Sequence, residues 1–194
     1  MKSEYTVVPV SKAECTQLLE DYHYLSNISK GFKSGENFGL MYHGHLLGVC
    51  IFTNFPVSEL VMGCFGLDRT DQKGFFELSR LCVHPAAQFA EHNITSWFVA
   101  RSIKLLKKSR KPRAILSYAD KEHHVGTIYR ACNFTYYGTA AQKNDYWVYD
   151  KYGHSTKLSR GKTTGVPGEW RPRSLKHRFL MVFDKTLNVK WKLG

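Results

Sequence analysis

Ser117-Tyr-Ala-Asp120 closes an apolar run, and the chain then turns through Lys-Glu-His-His into Gly126-Thr-Ile-Tyr129-Arg-Ala-Cys-Asn133-Phe134. This reads as a buried strand over 114–118, a polar turn beginning at Asp120, a short helix carrying Ile128, Ala131 and Cys132, and a second strand. A carboxylate at the C-terminal edge of a strand can accept a proton, and a phenol on the next helix can donate one. Ligand sites of α/β sheets collect at such edges. Tyr129 also has a plainer reading as a half-buried packing residue, because tyrosine rings are often buried.

Other titratable side chains fall at element ends. His23 and Tyr24 follow a first helix. His23 can titrate near neutrality as an acid, a base or a metal ligand, or it can simply sit at the helix C-terminus, where the dipole favours it. Tyr24 can orient His23, stack on a base or pack. Arg80 lies among Leu78, Leu81 and Val83, and either binds substrate or pairs with Glu77 or Asp120. His43 and His45 belong to a turn, and His123-His124 reads as an ordinary polar helix start.

The elements that must position these groups begin with a strand at Tyr5–Val10. Ser11-x-x-Glu14 is a capping box for a helix with Leu18, Leu19 and Tyr22 on one face. Phe38–Tyr42 and Leu46–Phe52 flank His43-Gly44-His45 as a hairpin. Strands are expected at Leu60–Phe65 and Phe75–Val83. Asn93 is placed to cap a helix over Ile94–Lys107, closed by a cationic C-terminus. Tyr146–Asp150 and Phe179–Phe183 read as strands, with a polar, basic loop from His154 to Pro172 between them. The order predicts one mixed α/β layered domain: a core over residues 1–150 and a basic C-terminal extension over 151–194 packed on it.

At 194 residues and 43% hydrophobic, the chain suits one ordinary core. No apolar run approaches a membrane span, and Met1-Lys-Ser-Glu-Tyr-Thr lacks the apolar stretch of a signal peptide. Five scattered cysteines without a Cys-x-x-Cys pair read as reduced thiols of a cytoplasmic protein. The net charge of +12 is unevenly spread: residues 151–194 hold eleven Lys and Arg against Glu169 and Asp184, a formal +9 that leaves +3 for residues 1–150. Such asymmetry points to a polyanion, with Arg171, Arg173, Lys176 and Arg178 as nucleic-acid contacts. Trp147 and Trp170 could stack on a base.

With Glu77-Leu-Ser-Arg80-Leu-Cys-Val-His-Pro85 and the Gly126–Gly138 run, the order of elements resembles a GNAT-fold acyltransferase over roughly residues 5–150. In that family the helical Tyr is often a general acid. The family's glycine-bearing turn, which cradles the coenzyme A pyrophosphate at a helix N-terminus, is replaced here by Gln88-Phe-Ala-Glu-His-Asn-Ile-Thr-Ser96. That stretch has no glycine, and Glu91 would repel a diphosphate, which argues against an acetyl-CoA site.

His23-Tyr24, Glu77-Leu-Ser-Arg80, Asn93-x-x-Ser96, Asp120, Tyr129 and Lys176-His-Arg178 together resemble the phage Mom DNA-modification family, a diverged GNAT branch. The resemblance implies conversion of adenine in DNA to N6-carbamoylmethyladenine, protecting phage DNA from restriction in the host cytoplasm. It implies His23, Tyr24, Asp120 and Tyr129 as catalytic residues, Arg80 and Ser117 at the substrate, double-stranded DNA as partner, and iron as a metal associated with the family, with His23 a candidate ligand.

The implied product sets a demand on the donor, because acetyl transfer would leave N6-acetyladenine. A glycyl group meets it. The free amine of N6-glycyladenine can attack purine C6 through a five-membered ring and expel the original N6 as the amide nitrogen. Activated glycine such as glycyl-tRNA is then the expected donor, and tRNA a second nucleic-acid partner. Two rivals stand beside this reading: a conventional N-acetyltransferase using acetyl-CoA, and a non-catalytic DNA-binding protein on the same scaffold. Oligomeric state and DNA sequence preference are left open.

Overall fold

The computed structural model describes residues 2–23, 32–158 and 160–194. Strands β1 (Tyr5–Pro9), β2 (Glu36–Tyr42), β3 (His45–Asn54), β4 (Phe75–Val83), β5 (Ala114–Asp120), β6 (Thr135–Thr139) and β10 (Lys176–Val182) form a seven-stranded sheet ordered β1-β2-β3-β4-β5-β10-β6. Its pairs are antiparallel except β4 with β5. Helix α1 (Lys12–Tyr22) starts with the predicted capping box, in which the Glu14 amide donates to Ser11 Oγ and Glu14 accepts from the Ser11 amide.

Alternation along the strands divides the core between two faces. From β3, Val49 and Ile51 meet Cys15, Leu18 and Leu19 of α1. Cys50 and Phe52 point the other way, onto Phe98, Val99, Ile103 and Leu106 of α4 (Ile94–Arg110). From β5, Leu116 packs with α2 (Glu59–Phe65) and Ile115 with the α4 side. The result is helix, sheet, helix. All five cysteines are buried free thiols, and among the described residues no helix is long and apolar enough to cross a membrane.

Three expectations are corrected. Leu60–Phe65 is helical, because Val61, Cys64 and Phe65 are buried at helical spacing and Gly66, with φ of 70°, ends the turn in the left-handed region. Asn93 precedes α4 but makes no side-chain cap, being left-handed itself at φ 59°. The stretch 154–172 is not all loop: β8 (Ser155–Leu158) and β9 (Glu169–Pro172) flank β7 (Asn144–Tyr149) in a second sheet ordered β8-β7-β9. Those two strands are almost wholly exposed, so they lack the alternation that marks a half-buried strand.

The basic C-terminal segment is also part of the core. Its strand β10 lies between β5 and β6, with Phe179 and Leu180 fully buried.

Candidate active site

The parallel pairing of β4 and β5 stops at Leu78 and Ser117, and the strands part beyond it. Two features mark this point. Ser79 is a bulge in β4, since Ile51 faces Arg80 and Phe52 faces Leu78. The buried Ser117 hydroxyl donates to the Leu78 carbonyl at 3.1 Å, tying off the last shared rung.

Above the parting lies a cavity of about 620 Å³. The sheet contributes Glu77, Arg80, Tyr118 and Lys176 to its wall, the end of α1 contributes Tyr22 and His23, and the far side carries His123, His124 and Tyr129. Helix α3 (Pro85–Ala90) supplies Gln88, which donates to the Val83 carbonyl at 2.7 Å.

Residues distant in sequence are thus brought together. His23 is buried as the C-cap of α1. Burial first, then the Arg80 charge and the nearby His124, push its imidazole down to about 4, so it is neutral at physiological pH. The ring of Tyr129, on α5 (Thr127–Ala131), packs on Phe134 and Phe179 at centroid distances of 5.7 and 5.2 Å while the residue lines the cavity. Packing and reaching the site are therefore compatible for this side chain. The helix is held by Gly126, where φ is 79° and an added Cβ would lie 2.0 Å from the Phe179 ring. Tyr24 lies outside the described residues.

Ser117 and Asp120 do not line the cavity. Asp120 accepts from the Ser174 hydroxyl at 2.6 Å and from the Glu122 amide at 3.1 Å. Burial raises its pKa, but these hydrogen bonds, with Lys176 and His123, outweigh that and hold the carboxyl below its ordinary value. Its backbone carbonyl accepts from the His123 and His124 amides, so Asp120 organises the turn that carries both imidazoles. Asp120, Glu122 and His123 bring three ligand atoms within 4.8 Å of one another, but two carboxylates with one imidazole reverse the two-imidazole, one-carboxylate set of non-haem Fe(II), and both Asp120 oxygens already accept hydrogen bonds, so this group does not fit the implied iron. His23 is not in that group.

The predicted nucleic-acid contacts separate. Lys176 lines the cavity. Arg171 pairs with Glu169 and the Tyr149 hydroxyl and lies 5.2 Å from the Trp147 ring centroid. Arg173 pairs with Asp145, which Lys157 also reaches at 2.7 Å. Arg178 donates to the Tyr137 carbonyl at 2.8 Å beneath Trp191. Three of the four cations are therefore engaged within the fold.

Two site features were less visible in the sequence. His84 Nδ1 accepts from the Ala86 amide, so Nε2 carries the proton that reaches Tyr22 Oη at 2.9 Å, fastening α3 to the end of α1. The signal was His84-Pro85, a cap followed by proline at the first helical position. Glu77, read only as a partner for Arg80, lines the cavity itself.

The sequence profile of the Mom protein family matches residues 4–193, nearly the whole chain. The chain belongs to the Mom protein family. Phage-type DNA modification is the function class that this membership supports. The Mom chain is similar in structure to the ribosomal-protein-S18-alanine N-acetyltransferase of Escherichia coli, with a TM-score of 0.53 at 12% identity over 92% of this chain and 93% of the other. A spermidine N-acetyltransferase variant from Vibrio cholerae gives a TM-score of 0.58 at 10% identity, covering 96% and 98%. A GNAT family acetyltransferase from Elizabethkingia anophelis with acetyl-CoA bound gives 0.52 at 13%, covering 94% and 100%. At these identities the likeness shows the fold: GNAT-like, as the order of elements predicts. No curated protein matches the chain at a significant level.

Proposed function

We propose that this member of the Mom protein family is a transferase acting on adenine in double-stranded DNA, installing the N6-carbamoylmethyl group by acyl transfer from activated glycine, with glycyl-tRNA as the donor. One observation carries the reading. A Mom-family chain on an acyltransferase scaffold has, where its parallel strands part, a cavity of about 620 Å³ walled by a carboxylate, cations, a neutral imidazole and a phenol. That volume lies within the range of small-molecule sites and suits an adenine together with the reacting end of a donor. A base inside a duplex must be extruded to enter it, at a cost of a few kcal/mol.

The residues divide the work. Arg80 and Lys176 attract phosphate or carbonyl oxygens, Tyr129 protonates the leaving oxygen, and neutral His23 orients a substrate hydrogen bond. Asp120 positions the 120–124 turn.

Against acetyl-CoA as donor stands the segment in the diphosphate's place. Gln88–Ser96 runs from the end of α3 through a turn holding Glu91 into the start of α4, and the Gln88 side-chain amide is committed to the Val83 carbonyl. DNA contacts then fall to exposed lysines near the rim and the small sheet, Lys121, Lys143 and Lys162 among them. Mass spectrometry of nucleosides from the DNA of bacteria expressing the protein tests the function. N6-carbamoylmethyl-2′-deoxyadenosine is expected; N6-acetyl-2′-deoxyadenosine would favour the acetyltransferase rival, and DNA binding without any change in base mass the non-catalytic one.

A further inference from the structure

Acyl transfer to N6 needs a group to take the amine proton, and the position of Asp120 is poor for this. Both its oxygens accept hydrogen bonds, its carboxyl is held below the ordinary range, and it is not part of the cavity wall. Glu77 differs on each count. It lies on β4 one residue before the last rung shared with β5, it borders the cavity, and its carboxylate is acted on by burial and by the charges of Arg80, Lys176 and Lys33, with no hydrogen bond to it among the described residues.

We propose that Glu77 is the general base of the reaction, a role that rests on the proposed adenine acylation. In the step, adenine N6 attacks the acyl carbon of a glycyl ester and a C–N bond forms. The bond from that carbon to the donor's ester oxygen breaks, the N6 proton passes to the Glu77 carboxylate, and the departing oxygen takes a proton from Tyr129. No further reactant is needed.

The charges around Glu77 fit this work. Arg80 faces it from its own strand, Lys176 from β10, Lys33 from the segment before β2, and the Tyr118 hydroxyl from β5. Burial raises its pKa, and the three cations offset that only in part, so the carboxyl lies above its ordinary value. A base so shifted moves towards the working pH, where general-base catalysis is most effective. The cations also stabilise the negative charge that develops on the attacked carbonyl oxygen.

The test is Glu77→Gln in the full chain, with purified protein, duplex DNA and a bacterial extract supplying the donor. Modified adenine is quantified by mass spectrometry across pH, with melting temperature and duplex affinity measured alongside. Wild-type rate should fall on the acid side as Glu77 protonates. Glu77→Gln should lose at least about a hundredfold in rate and with it that acid limb, while still binding duplex. Glu77→Asp, shorter by one methylene, should keep the acid limb at a rate reduced at least tenfold, and it serves equally if Glu77→Gln does not fold. A folded Glu77→Gln or Glu77→Asp protein with wild-type rate and an unchanged pH profile would overturn the assignment. Wild-type protein that modifies no adenine would instead overturn the reading on which the assignment rests.

Discussion

At the scale of single residues, His23 makes the clearest physical prediction. Its folded pKa of about 4 lies below the ordinary value, so the unfolded chain binds the extra proton first as pH falls. Its contribution to stability is fully present above about pH 6.5 and is lost progressively down to about pH 4, by an amount on the order of 3 kcal/mol. His23→Gln should flatten the pH dependence of the melting temperature in that window. An unchanged slope would mean that the imidazole titrates normally. Tyr129→Phe removes only the hydroxyl and leaves the ring on Phe134 and Phe179. It should keep the melting temperature and lose roughly a hundredfold or more in modification rate; near-normal activity would make Tyr129 a packing residue alone.

At the scale of elements, the turn into α5 depends on Gly126. Gly126→Ala sets a Cβ into the Phe179 ring and strains a backbone at φ 79°, so it should destabilise the fold by a few kcal/mol. A thermal melt within a degree of wild type would contradict this packing. The contacts also explain what could be read beforehand. The capping box, the 38–52 hairpin and the strand–turn–helix around Asp120 were legible because caps, turn glycines and apolar periods are local. Leu60–Phe65 was misread because a short apolar run fits strand and helix alike. The small sheet escaped because its strands are exposed, and Asp145 with Arg173 and Lys157 links them across sequence. Glu77 and Asp120 were both visible as carboxylates near the site. Only the parting of β4 from β5 showed which of them borders the cavity.

At the scale of the whole molecule, the charge asymmetry divides into internal and outward parts. Arg171, Arg173 and Arg178 have partners in the fold, so Ala at these positions should lower the melting temperature. Lys121, Lys143 and Lys162 are exposed. Replacing these three with Ala should leave the melt unchanged and reduce the salt dependence of duplex binding by roughly one unit of slope per lost phosphate contact. An unaltered salt slope would move the DNA path to another face.

The central claim is that the transferred group is glycine and that the product is a rearranged adenine. Cells expressing the protein and fed 15N-glycine settle it through fragmentation of the modified nucleoside. The label is predicted on the nitrogen bonded to purine C6, with the terminal amide nitrogen unlabelled because it began as adenine N6. Label confined to the amide, or a modified base carrying none, would contradict the account.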